Sequence, residues 1–566
     1  MGRRLHPVSR ARAWRRRARF SARFPPALML PGDPDSIVCF PRVPGNPEGG
    51  FPRRSGVVSS RIGRKGSTGD FEDRTFENLG RMIRPGSDAD RVCVAKANEA
   101  GQGHIFDRWD ALSSEDQRAL MAQVEALDFQ LLKRLIQEHL SGASEDNGAR
   151  VLKPAPALGW WQLGREEMGL CRTLGEYAIR QGEVAIVTAA ADGGPFPEPT
   201  GLVPVGPVSG KCLLQLHAER IQAVNRRYRV SLRWLIFCHP AERERLAGHF
   251  KANGHFGLKC SDISFIDQDL LPVVDRRGKV LLSAPGRIAM SPNGHGGILT
   301  QCLAEERLDH LESAGIRYLH YFQVDNALAR VPDPLFLGHH IKNQAEVSTK
   351  AVHKLNPDER VGVICVVNGV LGVVEHTHID AADRAALAED KGLLLRSANT
   401  GMHVLSLDFL RRLRSEGFQL SYRPVERVTP YLGKTGKVVR PQKPNSLRFK
   451  TFIFDAIRKA ERANIIEVER SEEFSPVKNV SGPDSPETAR RDLSRLHASW
   501  LRAVHADIPA GTPIVEISPL YALDLDELRE KLEVPVGAGA PHNGWRPQSG
   551  GDGSFPGAGG NILLGR

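Results

Sequence analysis

Short apolar runs alternate with helical segments between residues 184 and 324, and this alternation constrains the fold more than any other feature of the sequence. Apolar runs at residues 184–190, 234–238 and 318–324 have the length of buried strands. Helical segments at residues 211–227 and 241–253 lie between them. Such a pattern is typical of a parallel sheet covered by helices on both faces, with ligands bound beyond the carboxyl ends of the strands. The sequence therefore predicts an α/β fold with a Rossmann-like, mixed but mainly parallel sheet.

A helical region precedes these strands. Ser113 and Asp116 form an N-terminal capping pattern, and leucine and valine follow at spacings of three and four residues. This pattern predicts one amphipathic helix over residues 113–140. Further helices are expected at residues 166–181, 452–463 and 488–504, and a hairpin with an Asn368-Gly369 turn is expected at residues 361–374.

The length of 566 residues exceeds the ~250 to 300 residues at which a single core stops growing, so two or three folded units are expected. Composition and periodicity suggest five segments. They are a disordered Arg/Pro/Gly-rich N-terminal extension (1–85), a helical N-terminal region (86–180), a central domain that carries the ligand site (181–430), a small C-terminal domain (431–535) and a disordered Gly/Pro-rich tail (536–566).

The positive charge is concentrated at the start of the chain. The formal net charge is +11, and residues 1–32 hold nine arginines and no acidic residue, which leaves about +2 for the remainder. A near-neutral body argues against a nucleic-acid-binding face. No apolar run approaches the ~18 residues that a membrane span needs. The eight cysteines are scattered without a CxxC pair, as a reducing compartment permits. We therefore expect a cytoplasmic protein that binds neither nucleic acid nor membrane, and its oligomeric state is not indicated.

Three segments beside predicted strands can carry ligand contacts. The Gly/Pro-rich residues 189–207 can present backbone N–H groups to phosphate oxygens, although such loops are also ordinary connections. Residues 291–297, SPNGHGG, surround His295 with three glycines, which suits either a backbone wall against a ligand or a hairpin turn. Asp325, at the end of a strand, can hold Mg²⁺ beside a polyphosphate or serve as a turn residue.

Two lysines stand in proline-bounded loops. They are Lys443 in RPQKPN and Lys478 in EFSPVKN. A fixed ammonium group is what a phosphate site uses, whereas most lysines only cover a solvated surface.

Six segments together resemble the eukaryotic-type UDP-sugar pyrophosphorylases, in particular the UDP-N-acetylhexosamine branch of the UTP:glucose-1-phosphate uridylyltransferase family. These segments are GLVPVGPVSGK (201–211), SPNGHGG (291–297), YFQVDN (321–326), GVVEHTHID (372–380), VRPQKPNSLRFKTFIFD (439–455) and VERSEEFSPVKN (468–479). Their order and spacing agree from about residue 113 to residue 504. The resemblance implies a nucleotide-diphosphate-sugar transferase fold. It also implies Mg²⁺-assisted reaction of UTP with a sugar 1-phosphate, which releases pyrophosphate.

The resemblance assigns roles to individual positions. Gln268 and Gly294 are similar to uridine contacts, and Asp325 to a carboxylate that binds the metal or the phosphates. The remaining residues match three kinds of family position. Positions that contact the sugar are matched by His295, Glu375 and Asn399, basic positions near the phosphates by Lys443 and Lys478, and positions of the nucleotide-binding loop by Gly193, Gly194 and Thr200.

The loop at residues 188–201, here called the signature loop, departs from the family pattern. It is about three residues shorter, contains no arginine, and has Thr200 where the family has a lysine. Asp192 and Glu198 add negative charge, and Cys238-His239 replaces an expected Thr-Ser pair. Removal of one preorganised donor from a transition state typically lowers the rate by ~10² to 10³. The sequence thus predicts a uridylyltransferase acting on UTP and, by resemblance, N-acetylhexosamine 1-phosphate. The alternative is a catalytically impaired relative that binds a nucleotide sugar or acts as a regulatory or interaction protein.

Overall fold

The computed structural model describes residues 88–140, 150–190, 195–506, 508, 514–532 and 561–565. Its strands are β1 (Leu152–Pro154), β2 (Ala157–Gly159), β3 (Val184–Ala189), β4 (Arg233–Cys238), β5 (Ile263–Asp267), β6 (Leu270–Pro272), β7 (Val274–Asp275), β8 (Leu282–Ala284), β9 (Arg287–Ile288), β10 (Met290–Pro292), β11 (Tyr318–Gln323), β12 (Val347–His353), β13 (Val363–Val367), β14 (Val370–Val374), β15 (Ser397–Ser406), β16 (Arg423–Arg427), β17 (Tyr431–Leu432), β18 (Val438–Val439), β19 (Ser446–Lys450), β20 (Ala463–Glu467), β21 (Val515–Ile517) and β22 (Ile562–Leu564).

Its α-helices are α1 (Asp88–Glu99), α2 (Ser114–Glu125), α3 (Phe129–Leu140), α4 (Arg165–Arg180), α5 (Leu213–Tyr228), α6 (Pro240–Ala252), α7 (Gly296–Cys302), α8 (Glu305–Ser313), α9 (Pro334–Lys342), α10 (Ala381–Ala385), α11 (Leu407–Ser415), α12 (Arg470–Glu473), α13 (Pro486–Ala503) and α14 (Leu525–Leu532). Within the described parts, no helix combines the length and apolar character needed to cross a bilayer.

The central sheet is mixed but mainly parallel, as predicted. Its order is β2-β20-β12-β15-β11-β3-β4-β5, and β13 links β1 and β14 to β15. The strands β11, β3, β4 and β5 run parallel to one another. β15 is antiparallel to both of its neighbours, β11 and β12.

Successive residues of β3 face two different cores. Val184 and Ile186 belong to the core that α5 and α13 cover, whereas Ala185 and Val187 belong to the core under α8 and α11. This division follows because side chains alternate between the two faces of a strand. Each fully buried valine or isoleucine contributes roughly 1.5–3 kcal/mol. The prediction of an α/β sheet covered on both faces is confirmed.

Two predicted helices differ from the structure. The segment 113–140 forms two helices, α2 and α3, because the carboxylate of Asp128 accepts a hydrogen bond from the N–H of Leu131 (2.9 Å) and starts a new helix there. The segment 452–463 forms a 3₁₀ helix, Ile453–Lys459, and is followed by β20. The hairpin of β13 and β14 agrees with the prediction, with Asn368 and Gly369 at φ of 50° and 87°.

The predicted boundaries at residues 180 and 430 do not separate independent cores. β1 and β2 come from the predicted helical region but join the central sheet. β20 comes from the predicted C-terminal domain and also joins that sheet. All described residues belong to one folded unit. The segment 1–85 lies outside the described residues.

The predicted disordered tail contains a strand. β22 pairs in parallel with β21, and Ile562 and Leu564 are buried in the core that α5 and α13 cover. The Gly/Pro-rich composition of the tail hid this strand, because only its three apolar residues carry the signal.

Candidate active site

The segments that follow β3, β4, β5 and β11 meet at one edge of the central sheet. The four strands are parallel neighbours, so their carboxyl ends lie side by side. The N–H of Gln268, just after β5, donates to the carbonyl of Cys238 at the end of β4 (2.9 Å). The N–H of Val324, just after β11, donates to the carbonyl of Ala189 at the end of β3 (3.2 Å). These segments border the ligand site expected beyond the strand ends.

Gln268 carries a buried amide group. The residue is 3% exposed, and neither Nε2 nor Oε1 has a hydrogen-bond partner among the described residues. An unpartnered buried polar group costs about 1–3 kcal/mol, and native proteins leave few of them. An amide offers one acceptor and two donors, which matches the carbonyl and N–H groups on the edge of uracil. The position of Gln268 is therefore compatible with its predicted uridine contact.

Gly294 lies between β10 and α7, so the SPNGHGG segment is a strand-to-helix connection and not a hairpin turn. Its φ is 86°, and a Cβ atom there would lie 2.4 Å from the carbonyl oxygen of Thr451. The N–H of Thr451 in turn donates to the carbonyl of Asn293 (2.7 Å). Only glycine fits this close approach of two backbones.

His295 lies among aromatic side chains. It is 6% exposed, and its Nδ1 accepts a hydrogen bond from the N–H of Ile453 (3.3 Å). Its ring centroid lies 5.4 Å from that of Phe452 and 5.6 Å from that of Phe454, and the two phenylalanine rings stack at 5.1 Å. The segment therefore supplies one imidazole and an apolar surface beside Gly294.

Asp325 and Lys478 lie close together in the structure. The N–H of Val477, next to Lys478, donates to the carbonyl of Asp325 (2.9 Å). The Asn326 side chain donates to the carbonyl of Glu473 (2.7 Å) and accepts from the N–H of Ser475 (3.0 Å). The segment after β11 is thus attached to the segment that leads to Lys478.

A buried ion-pair cluster supports this attachment. Lys350 on β12 is fully buried and pairs with Asp333 (2.5 Å) and with Glu473. Burial alone would raise the pKa of Asp333, but the charges of Lys350 and Arg330 hold it down at about 2. Glu473, whose backbone binds Asn326, is therefore fixed by its side chain as well.

Glu375 connects the remaining predicted sugar contacts to Lys478. Burial raises the pKa of Glu375, and the positive charges of Arg423 and Lys478 oppose this effect. A Cβ atom added to Gly362 would lie 3.4 Å from Glu375 Oε1, so Glu375 lies next to Gly362. The carbonyl of Gly362 accepts a hydrogen bond from the N–H of Asn399 (2.8 Å). Glu375, Asn399 and Lys478 therefore belong to one region.

Two cationic residues of this region were not predicted. Lys450 ends β19, and its Cβ lies 3.2 Å from the Cβ position of Gly294. Arg423 pairs with Asp455 (2.5 Å) and lies over the ring of Phe452, 5.1 Å from its centroid. Lys450 lies inside the FKTFIFD motif, so that motif could have identified it as a candidate site residue. Arg423 lies outside all six recognised segments.

The family model described as UTP–glucose-1-phosphate uridylyltransferase matches residues 196–533. The chain belongs to this uridylyltransferase family. It is 30% identical over 477 residues to UDP-N-acetylglucosamine diphosphorylase 2 of Arabidopsis thaliana, covering 77% of this chain and 91% of the relative. It is 33% identical over 447 residues to UDP-N-acetylglucosamine pyrophosphorylase of Saccharomyces cerevisiae, covering 74% of this chain and 92% of the relative.

A solved structure supports the fold of this uridylyltransferase. The uridine diphosphate N-acetylglucosamine pyrophosphorylase of Trypanosoma brucei matches with a TM-score of 0.67 at 24% identity, covering 80% of this chain and 96% of the other. The predicted nucleotidyltransferase class and the predicted fold are confirmed.

The signature loop of this uridylyltransferase is only partly described, since Gly193 and Gly194 lie outside the described residues. Thr200 is 9% exposed and begins a 3₁₀ helix, Thr200–Leu202, whose Gly201 lies close to Leu214 of α5 and to Val324, just after β11. Glu198 lies 3.9 Å from Arg245 of α6, so an arginine from another element faces this acidic position.

The structure gives Lys211 and His239, which lie close to the signature loop in the sequence or follow the next strand, defined contacts. Lys211 pairs with Glu219 (2.7 Å), so its ammonium group is engaged within the fold and does not replace the missing loop lysine. His239 caps α6, because its Nδ1 accepts a hydrogen bond from the N–H of Ala241 (3.1 Å). Serine or threonine performs the same function at many helix starts.

Lys443 is not joined to the other predicted residues. It is exposed on the loop between β18 and β19 and forms no hydrogen bond or ion pair with another described residue. Lys450, at the opposite end of β19, lies beside Gly294 instead.

Asp325 offers a carboxylate for a metal ion but no complete protein site. Among the described residues, no group of three or more His, Cys, Asp or Glu side chains could hold a metal. Mg²⁺ is commonly bound by one or two carboxylates together with substrate phosphates and water. The donor set around Asp325 therefore fits Mg²⁺ that arrives with a nucleotide.

Proposed function

We propose that this protein converts UTP and an N-acetylhexosamine 1-phosphate to the UDP-sugar and pyrophosphate. The observation that carries this proposal is the connection of Gly294, Glu375, Lys478 and Asp325 at the carboxyl edge of the sheet. Gly294 adjoins Lys450, Glu375 interacts with Lys478, and Lys478 follows the residue that binds the backbone of Asp325. This arrangement supports the proposal, because a backbone wall, a buried carboxyl group and a cation would surround one ligand.

The reaction requires positioning and charge neutralisation, without a covalent nucleophile. An oxygen of the sugar phosphate attacks the α-phosphorus of UTP. The bond between that phosphorus and the oxygen bridging to the β-phosphate breaks, and pyrophosphate leaves. Gln268 binds and orients the uracil, and Lys478 neutralises phosphate charge. Fixed groups of this kind supply most of the catalysis in phosphoryl and nucleotidyl transfer.

Mg²⁺ is proposed as the cofactor, with Asp325 as its protein ligand. When bound, Mg²⁺ would neutralise charge on the phosphate oxygens and help to align them. Asp325 suits this role because its backbone is held by Val477, and the preceding residue, Val324, is bound to Ala189 at the end of β3.

The proposed sugar follows from the relatives and from the aromatic residues. Both curated relatives described above have names that refer to N-acetylglucosamine. Phe452 and Phe454 provide apolar surface beside His295, which can accept the methyl group of an acetamide. A plain hexose 1-phosphate lacks this methyl group and gains less from the contact.

The test is pyrophosphate release from purified full-length protein with UTP, Mg²⁺ and a panel of sugar 1-phosphates. We expect turnover with N-acetylglucosamine 1-phosphate or its galactose epimer, and a lower kcat/KM with glucose 1-phosphate. Asp325→Asn should remove most of the activity, whereas Asp526→Asn, an exposed change on α14, should not alter it. No turnover, together with retained binding of UDP-N-acetylglucosamine, would support the binding-only alternative instead.

We also propose a cytoplasmic location. The cysteines of the described residues are all free, including four that are fully or almost fully buried, Cys171, Cys238, Cys302 and Cys365. Unpaired thiols are usual in reducing compartments. Fractionation of the producing cells with an antibody against the protein would test this location.

A further inference from the structure

Helix α5 contacts the backbone on both sides of Asp325. The ring Nε2 of His217 lies 3.0 Å from the carbonyl oxygen of Val324, and Nη2 of Arg220 donates to the carbonyl of Ala327 at 2.7 Å. His217 and Arg220 are three residues apart, so they lie on the same face of the helix. One helix face therefore binds the residue before Asp325 and the second residue after it.

The protonation state of His217 follows from its surroundings. The residue is fully buried, and burial lowers its pKa to about 3, so the ring is neutral. A carbonyl oxygen can only accept, which places the proton on Nε2. Nδ1 is then an acceptor, and it receives a hydrogen bond from Nη1 of Arg220 at 3.2 Å. The donors thus run in one direction, from Arg220 through His217 to Val324.

Arg220 directs its hydrogen bonds to His217 and to the carbonyl of Ala327, and the charge of the neighbouring Glu219 favours its charged form. Burial lowers its pKa to about 10, yet the group remains charged at neutral pH. It borders a cavity of about 480 Å³ that Trp160 and Trp500 also line. A buried charge is costly unless its hydrogen bonds are satisfied. Here they go to the Asp325 segment and to the histidine that binds the same segment.

The opposite side of this segment is held as well. Val477 donates to the carbonyl of Asp325, and the N–H of Ala327 donates to the carbonyl of Ser475 at 3.1 Å. Residues 324–327 are therefore fixed between α5 and the chain that leads to Lys478. A shift of about 1 Å in a catalytic group can lower the rate by ~10².

We propose that His217 and Arg220 are positioning residues, which fix the Asp325 carboxylate for the transfer step. This inference rests on the function proposed above. It predicts a defect in kcat with nearly unchanged uridine binding, because Gln268 lies on a different strand end.

The first experiment compares Arg220→Ala with Arg226→Ala, an exposed change on the same helix. Arg220→Ala should lower kcat by ~10 to 100-fold, with KM for UTP and the affinity for UDP changed less than about threefold. Added guanidinium ion at millimolar concentration should restore part of the rate, because the cavity admits it to the vacated position. An unchanged kcat, or a parallel loss of UDP binding and stability, would overturn the proposal.

The second experiment uses His217→Gln and His217→Leu. The Gln side chain retains an N–H donor for the carbonyl of Val324, and Leu does not. Both variants keep a buried side chain of similar size, so we expect His217→Gln to preserve most of kcat and His217→Leu to lose it. Equal effects of the two changes would contradict a positioning role.

Amide hydrogen exchange tests the same inference without turnover. The amides of Ala327 and Val477 should exchange faster in Arg220→Ala than in the parent protein, while those of β3 remain unchanged. Unaltered exchange at both amides would exclude the proposal that Arg220 fixes residues 324–327. If the parent protein released no pyrophosphate from UTP with any sugar 1-phosphate, the proposed function would fail, but this exchange comparison would still decide whether α5 fixes the segment.

Discussion

The segment after β11 and the signature loop after β3 follow adjacent parallel strands but are built differently. Residues 324–327 are held from two sides by side chains and backbone groups distant in sequence. The described part of the signature loop relies on short-range hydrogen bonds, such as the one between Leu202 and Pro199, and on a long contact between Glu198 and Arg245. The firmly held segment that carries Asp325 therefore adjoins a loop that lacks the family's cations.

For the proposed reaction, this difference indicates which side of the site should contribute most. Preorganised groups stabilise a transition state because they do not reorganise during the reaction. The backbone around Asp325 is held from two sides and the charge of Lys478 acts on the buried Glu375, whereas Thr200 supplies no charge. Changes on the Asp325 side should therefore cause losses, and changes in the loop should cause gains.

The largest effect is expected for Lys350→Met, which removes the cation under the Asp325 segment. Asp333 and Glu473 would remain buried without their shared partner, so the free energy of unfolding should fall by about 3–5 kcal/mol. Urea unfolding would measure it. Lys342→Met is the matched control, since its pair with Glu167 is partly exposed and should contribute less than about 1 kcal/mol. Equal losses in the two variants would show that the buried cluster does not support the segment.

The next effect concerns the two lysines of the proline-bounded loops. Lys478→Ala should lower kcat by ~10² to 10³, because it removes a cation whose charge acts on the buried Glu375 and which follows the residue bound to the Asp325 backbone. Lys443→Ala should change kcat less than threefold, since the charge of Lys443, unlike that of Lys478, does not act on Glu375. Steady-state kinetics with UTP varied would separate them. A larger loss for Lys443→Ala would reverse the assignment.

A smaller effect is expected at Gln268. Gln268→Leu should raise KM for UTP by ~10 to 100-fold, which corresponds to about 1–3 kcal/mol, because the amide binds the base and little else. The free energy of unfolding of the Gln268→Leu variant should not fall, since the side-chain amide of Gln268 has no partner among the described residues. Gln102→Leu is the opposite control: this buried glutamine donates to Gly278 and accepts from Val280, so its loss should lower stability and leave KM unchanged.

The smallest effect, and the one that sharpens the comparison most, is a gain from Thr200→Lys. Restoring the loop lysine should raise kcat about tenfold. This gain is smaller than the ~10² in rate that a preorganised donor supplies, because Thr200 is buried and nothing fixes the new side chain toward the phosphates. Pyrophosphate release would measure the gain. Thr173→Lys, on the exposed surface of α4, should produce none. No gain, or a loss confined to Thr200→Lys, would contradict the prediction.

Local signals in the sequence gave the reliable predictions. The Asn368-Gly369 turn was correct because both residues readily adopt positive φ. β3, β4 and β11 were found because they are fully buried apolar runs. The helix over residues 113–140 was wrong because one aspartate, Asp128, restarts it, and periodicity does not register a cap within an apolar pattern.

The errors in the site arise from contacts between distant segments. Nothing near Lys450 in the sequence shows that β19 ends beside Gly294, since that approach depends on two backbones about 150 residues apart. The same applies to Arg423, which reaches the site through Asp455 and the phenylalanine rings. Lys443 lay in a conspicuous motif, but the fold leaves it on the surface. The roles assigned to the predicted site residues stay predictions until the variants above are measured.

β22 has a practical consequence for handling the protein. Its apolar residues complete a two-stranded sheet with β21, and Glu516 of β21 accepts hydrogen bonds from the backbone N–H groups of Val208 and Ser209. Trimming the glycine-rich terminus to obtain better crystals would strip one edge from β21 and expose its neighbours to solvent. A shortened version ending before residue 561 should therefore aggregate more readily, and an affinity tag is better attached through a long spacer.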